Sequence, residues 1–208
     1  MTLPTLPAAI PAVNPGRVPG TRARILGLDP GSIVTGYAVL ECSDQNTVYL
    51  TSGGIRAAGA DFCGRLQDIF RHVARLVEEY QPDEIAIERV FMHRNPDSAL
   101  KLGQARGAAL CATFGVQARV YEYAPRQVKL AVVGTGAAQK DQVQLMVGKL
   151  LSLDAKLQGK MGSDAADALA IALCHAHTRR LDSLLGAAAL QELAPTKPAL
   201  RPTSRSER

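Results

Sequence analysis

Two short apolar runs in this chain each end on an acid: Ile25 to Leu28 on Asp29, and Ile85 to Ile87 on Glu88. Runs of this length read as buried strands, and buried strands belong to a sheet covered on both faces. A carboxylate at the carboxyl end of such a strand stands where open α/β sheets meet their ligands. On the stretch ILGLDPGS alone, a local Asp-Pro-Gly-Ser turn explains Asp29 equally well, because Pro30 and Gly31 end the run at once. More acids must converge on Asp29 before it can be read as part of a site. If the two strands are neighbours, Glu88 faces it.

The spacing between these runs sets the fold class. After the first strand, TGYAVLEC and TVYLTSGGIR read as two more strands joined by the polar turn SDQN. Residues 62 to 80 repeat apolar side chains at helical spacing up to Pro82, and DEIAIERVF follows as a strand. NPDSALKLGQARGAALCATFG predicts a helix capped by Asp97 or Ser98 and closed by Gly115, and QARVYEYAP a fifth strand. Helices over about 139 to 151 and 163 to 179 flank the loop DAKLQGKMGS. Three strands followed by alternating helix and strand predict an α/β fold: a mixed five-stranded sheet with helices on both faces.

At 208 residues and 47% hydrophobic, the chain has material for one sizeable core. The expected domain spans 23–180, between Pro-rich stretches, 1–22 and 187–208, expected to be disordered. The tails carry +4 of the net charge of +5, from Arg17 and Arg22 at one end and four bases against two acids at the other. The body is therefore nearly neutral, and the charge suits a polyanion partner only weakly. Cysteines 42, 63, 111 and 174 form no CxxC pair, which points to a reducing cytoplasm. No apolar segment reaches the roughly 20 residues that cross a bilayer, so no membrane association is expected.

The last predicted helix supplies the missing acids. Asp164 and Asp167, at i and i+3, share one face near its start, the first just before and the second within the otherwise apolar AADALAIAL. A helix cap accounts for Asp164, but Asp167 lies a turn inside. Four carboxylates in one cleft repel one another unless they are protonated or bind cations, and all-oxygen ligands select Mg²⁺ or Mn²⁺. Two such ions about 4 Å apart are the arrangement that hydrolyses phosphodiesters in line. His175 lies eleven residues beyond Asp164, about 16 Å along the helix, too far to join them. His72, His93, His175 and His177 are read as structural or surface residues.

GLDPGSIVTGYAV, IERVF, DSALKLGQARG, RQVKLAVVG and SDAADALAIALCH together resemble the RuvC family of Holliday junction resolvases, over residues 24 to 178. The resemblance implies a ribonuclease H-like fold and a homodimer that resolves four-way DNA junctions in recombination and repair by paired symmetric nicks. Its acidic tetrad falls on Asp29, Glu88, Asp164 and Asp167. Two Mg²⁺ per subunit (Mn²⁺ as an alternative) would be held with Asp29 on both ions, Glu88 on one and the helix pair on the other. Phe91 matches an aromatic used against bases at the crossover, although core packing is the ordinary reading of a lone Phe after a strand. Arg126, Lys129 and Lys140 match basic positions that meet backbone phosphates, and solvated helix surface explains them as well. Some relatives have Gln at Arg89 and His at Asp164. Branch-migration proteins of the Ruv complex, RuvA and RuvB, are the partners implied by analogy.

Gly103 and Gly107, four apart in KLGQARGAAL, leave a nearly flat helix face that either packs on the chain's own sheet or admits a second subunit. Two other readings stand beside the nuclease: a junction-binding module without catalysis, and an actin-like ATPase relative, since LGLDPG also resembles the first phosphate loop of that group. The ATPases need two such domains, and a non-catalytic module has no use for four acids at metal-binding spacing.

Overall fold

The computed structural model describes residues 22–43, 45–89 and 95–192. Five strands, β1 (Ala23–Asp29), β2 (Val34–Cys42), β3 (Thr47–Arg56), β4 (Glu84–Glu88) and β5 (Arg119–Tyr123), form one sheet in the order β3-β2-β1-β4-β5. The opening meander is antiparallel, whereas β1, β4 and β5 run parallel. This is the expected mixed five-stranded sheet. Its parallel centre places the carboxyl ends of β1 and β4 side by side.

Strand alternation divides the core in two. Ile25, Ala38, Leu40 and Ala86 point to one face and pack on α3 (Pro125–Val133), α4 (Lys140–Leu150) and α6 (Ser163–Glu192). Leu26, Leu28, Val39, Ile85 and Ile87 point to the other, against Ile69, Val73 and Val77 of α1 (Phe62–Tyr80) and Ala105 and Ala109 of α2 (Pro96–Cys111). Helix α6 is the central element. Ala165, Ala166 and every residue from Ala168 to Ala176 are buried, because sheet, α3 and α4 surround it.

Several boundaries differ from the expected ones. Asn95 caps α2, accepting from the backbone N–H groups of Asp97 and Ser98, so neither of those residues is the cap. Asn competes equally for that position and stands immediately before a Pro at N1. The helix stops at Cys111 with Ala112 still right-handed, and Gly115 lies in the following turn. Pro125, expected to end the fifth strand, opens α3, where its missing N–H costs nothing. The loop DAKLQGKMGS contains the short helix α5 (Ala155–Lys160), begun by Asp154 accepting from Leu157 N–H at 2.7 Å. Helix α6 runs on to Glu192, into the stretch expected to be a disordered tail, because GAAALQE is rich in strong helix formers. Residues 1–21 and 193–208, and Phe91 and His93, lie outside the described residues.

Candidate active site

In the β1/β4 register Leu28 is paired with Ile87, so Asp29 and Glu88 each stand one residue past a matched pair. Both lie on the α6 side of the sheet, the side of Ile25 and Ala86. Two glycines let α6 close on them. A Cβ at Gly27 would stand 2.5 Å from the Ala168 carbonyl oxygen, and one at Gly36 would stand 2.1 Å from that of Asp164. Gly36 is the β2 partner of Asp29, so the first turn of α6 rests directly beside that carboxylate. The loop after Asp29 is tied back by the buried Thr35, whose hydroxyl donates to the Gly31 carbonyl at 3.2 Å.

Asp29, Glu88, Lys129, Lys140 and Asp167 line one cleft of about 220 Å³. Burial, then the charges of Glu88 and Asp167, and finally that of Asp164 push the Asp29 carboxyl up to about 7, against the lowering effect of Lys140. Glu88 is raised by burial and by Asp167, with Lys140 and Lys129 opposing. The Lys140 ammonium donates to Asp167 Oδ2 at 2.6 Å, and this hydrogen bond raises the lysine above its ordinary range despite some desolvation. Asp164 reaches the same field from the rim: it lines the neighbouring groove, between β3 and α5.

The residues picked from sequence thus divide. The four acids and Lys129 and Lys140 gather at one sheet end. Arg126 does not line the cleft; it is exposed on α3 and lies against Gly136. Among the described residues, Cβ positions at Gly103 and Gly107 meet nothing within 4 Å, and Ala105 and Ala109 form the buried side of α2. The chain's own sheet therefore does not use the glycine face. His175 is structural: it is buried, 2.6 Å from the Tyr123 hydroxyl through Nδ1 and 2.9 Å from Glu84 Oε2 through Nε2. Burial raises the Glu84 carboxyl, but His175 and Arg179 outweigh it and hold the group below its ordinary value. Sequence reasoning missed Arg106, whose Nε donates to the Glu88 carbonyl at 3.4 Å and whose other end pairs with Glu122, supporting the end of β4 from α2. Its only signal was a lone arginine among small residues.

Among the described residues, no three acid, histidine or cysteine side chains converge tightly enough to cage an ion as they stand. The donor set nevertheless suits a hard divalent cation: the acids offer carboxylate oxygens alone, and the burial and like charges that lift Asp29 are what such a charge relieves.

Residues 25–175 match the family model described as crossover junction endodeoxyribonuclease RuvC. The chain belongs to the RuvC family. Curated RuvC proteins of Shewanella sp. (strain W3-18-1) and Shewanella loihica are 53% identical over 158 residues and 55% identical over 154. These alignments cover 76% and 74% of this chain, and 89% and 87% of the relatives. The Thermus thermophilus RuvC structure in complex with a Holliday junction substrate matches with a TM-score of 0.70 and 33% identity, over 77% of this chain and 97% of that one. A yeast mitochondrial Holliday junction resolvase shares the fold at a TM-score of 0.59 and 14% identity, over 87% and 90% of the two chains. The fold is α/β and ribonuclease H-like, and the chain is a crossover junction endodeoxyribonuclease, a hydrolase of DNA phosphodiester bonds. Family membership takes the place of both the ATPase reading and that of a non-catalytic module. Among the described residues, no helix is long and apolar enough to cross a membrane.

Proposed function

We propose that Asp29, Glu88, Asp164 and Asp167 are the catalytic acids of this RuvC protein, holding two divalent cations, Mg²⁺ or Mn²⁺, for the symmetric nicking of four-way DNA junctions. The observation that carries this reading is the convergence of Asp29, Glu88 and Asp167 on one cleft with Asp164 at its rim; burial and the three other acids push the Asp29 carboxyl up to about 7. A site built only for stability would not press four carboxylates around one strand end. When bound, such ions lower the pKa of water so that it can attack, and they offset charge on the phosphate.

The chain's own groups do the rest. By the family resemblance, Asp29 would hold both ions, with Glu88 on one and the α6 pair on the other. Lys140 donates to Asp167 at 2.6 Å; with a divalent cation held by that carboxylate, its ammonium would be available to a DNA phosphate. Lys129 sits beside Glu88 for the same purpose, and Arg126 extends the basic face outward along α3. Phe91, three residues past Glu88, is assigned to stacking on an unpaired base at the crossover, a contact worth roughly 1 to 3 kcal/mol.

Resolution needs two cuts related by the junction's two-fold axis, and one chain carries one acidic cluster. The protein therefore acts as an isologous homodimer built on the open Gly103/Gly107 face of α2. Leu100, 62% exposed on that helix, and Phe114, 71% exposed just past its end, supply apolar surface at either side. RuvA and RuvB are the partners inferred by analogy, and the cytoplasm is the compartment.

The direct test is cleavage of an end-labelled four-way junction with and without Mg²⁺. Paired nicks only with the cation are expected, and metal-independent cutting would overturn the assignment. Lys140→Ala is expected to reduce the slope of log affinity against log salt by about one unit. It should also move the acidic limb of the pH–rate profile upward, because Lys140 lowers both Asp29 and Glu88. An unchanged slope would confine Lys140 to its pairing with Asp167.

A further inference from the structure

We infer that the groove on the far side of Asp164 is a second phosphate-binding subsite, carrying the scissile DNA strand away from the cut through Arg56 and Lys160. The inference rests on the nuclease reading above and extends the substrate path of the same site. The groove has a volume of about 300 Å³. One wall is the edge strand β3, contributing Gly53, Gly54 and Arg56; the other is α5 and the segment after it, contributing Lys160 and Gly162, and Asp164 lines the groove as well.

Three features make this a path for a phosphate backbone. First, Arg56 and Lys160 are both exposed, and neither side chain has a hydrogen-bond or ion-pair partner among the described residues. Lys140, one of the two lysines of the catalytic cleft, contrasts with them, since in the free protein it donates to Asp167. Second, the wall at Gly54 is bare backbone. A Cβ there would stand 3.1 Å from Val34 Cγ1 and 4.0 Å from the Asp164 Cβ, so a side chain would intrude on the passage from groove to acid. Third, a strand lying across four acids is repelled on both sides of the cut unless each side meets cations. Lys129 and Lys140 supply them in the cleft, and the groove supplies them beyond Asp164.

The test is the salt dependence of four-way junction binding by the full-length protein, with Ca²⁺ in place of Mg²⁺ to suppress cutting. Arg56→Ala with Lys160→Ala is expected to lower the magnitude of the log–log slope by about two. It should weaken binding at least tenfold at about 100 mM salt. Arg56→Lys with Lys160→Arg should restore most of both. Lys149, exposed on α4 and lining neither the cleft nor the groove, is the control, and Lys149→Ala should leave the slope unchanged. The double variant should also melt close to the wild type, because both side chains are exposed and neither holds a hydrogen bond or ion pair among the described residues. A slope equal to wild type in the double variant, or an equal loss in Lys149→Ala, would overturn the subsite while leaving the nuclease reading intact. Failure of the wild type itself to bind the junction would overturn the nuclease reading instead.

Discussion

Asp29→Asn is expected to abolish junction cutting and, in metal-free buffer at pH 8, to raise the melting temperature. Burial and three neighbouring acids bring the Asp29 carboxyl from 3.8 to about 7. The native state therefore holds this proton more tightly than the unfolded chain does. Between those two values the native state binds the extra proton, and stability falls as the pH rises. Above pH 7 the whole cost is present. It is on the order of 4 kcal/mol for the fully ionised group, an upper bound for what Asn relieves, since a buried amide has its own desolvation cost. Even a third of it corresponds to a rise of roughly 3 to 5 °C for a chain of this size.

The same substitution removes the acid that touches both proposed ions, so cutting should fall on the order of a thousandfold or more. Two further readouts separate this from a generic stabilising mutation. The gap in melting temperature should close below about pH 4, where Asp29 is protonated in both states. It should also narrow on adding Mg²⁺, which binds the native wild type and not the variant. A variant that melts at or below wild type at pH 8 would show that the ionisation cost of Asp29 does not exceed the desolvation cost of the amide that replaces it. One that cuts at a near-normal rate would remove Asp29 from the site.

Gly107→Leu, and equally Gly103→Leu, should yield folded monomers that make single nicks at best. Neither substitution is expected to disturb the subunit: a Cβ at either position meets nothing within 4 Å among the described residues. Leu is also a better helix former than Gly by up to about 1 kcal/mol. If the face is the dimer interface, a four-carbon side chain in place of hydrogen holds two helix backbones apart, and the effect appears only in association. Light scattering should report the monomer mass, thermal melting should be unchanged or higher once extrapolated to low protein concentration, and a cruciform substrate should show loss of coordinated second-strand cutting. A variant that remains dimeric with paired cuts would move the interface elsewhere on the surface; the need for two active sites per junction would stand.

How much of this was readable in the linear chain depends on what a given feature is made of. Asp29 and Glu88 were legible because a strand announces itself by an apolar run and a carboxylate at its end breaks the pattern. Asp164 and Asp167 were legible because two acids at i and i+3 interrupt an otherwise apolar helix. In each case the signal is local periodicity, which a sequence carries directly. The five strands and the central helix were found on the same grounds. The short α3 and α5 were missed, because a nine-residue helix behind a Pro and a six-residue helix ending near glycines have too few turns to show a period.

What only the tertiary structure decided is which groups stand next to each other, since contacts between distant segments leave no period in the chain. The pairing of β1 with β4 turned two isolated acids into neighbours. Gly27 and Gly36 proved to be the places where α6 presses on the sheet, and nothing in LGLD or TGYA distinguishes them from turn or bulge glycines. Lys140 was read as a phosphate-contacting cation or plain helix surface and is bonded to Asp167, whereas Arg56 and Lys160 drew no notice and flank an open groove beside Asp164. His175 is fixed by Glu84 and Tyr123, which stand on two strands far away in sequence. The sequence alone determined which residues face inward and where charge interrupts them. Folding decided their mutual distances, and the shift of the Asp29 carboxyl, a sum of burial and the charges of residues up to 138 positions away, exists only once those distances are set.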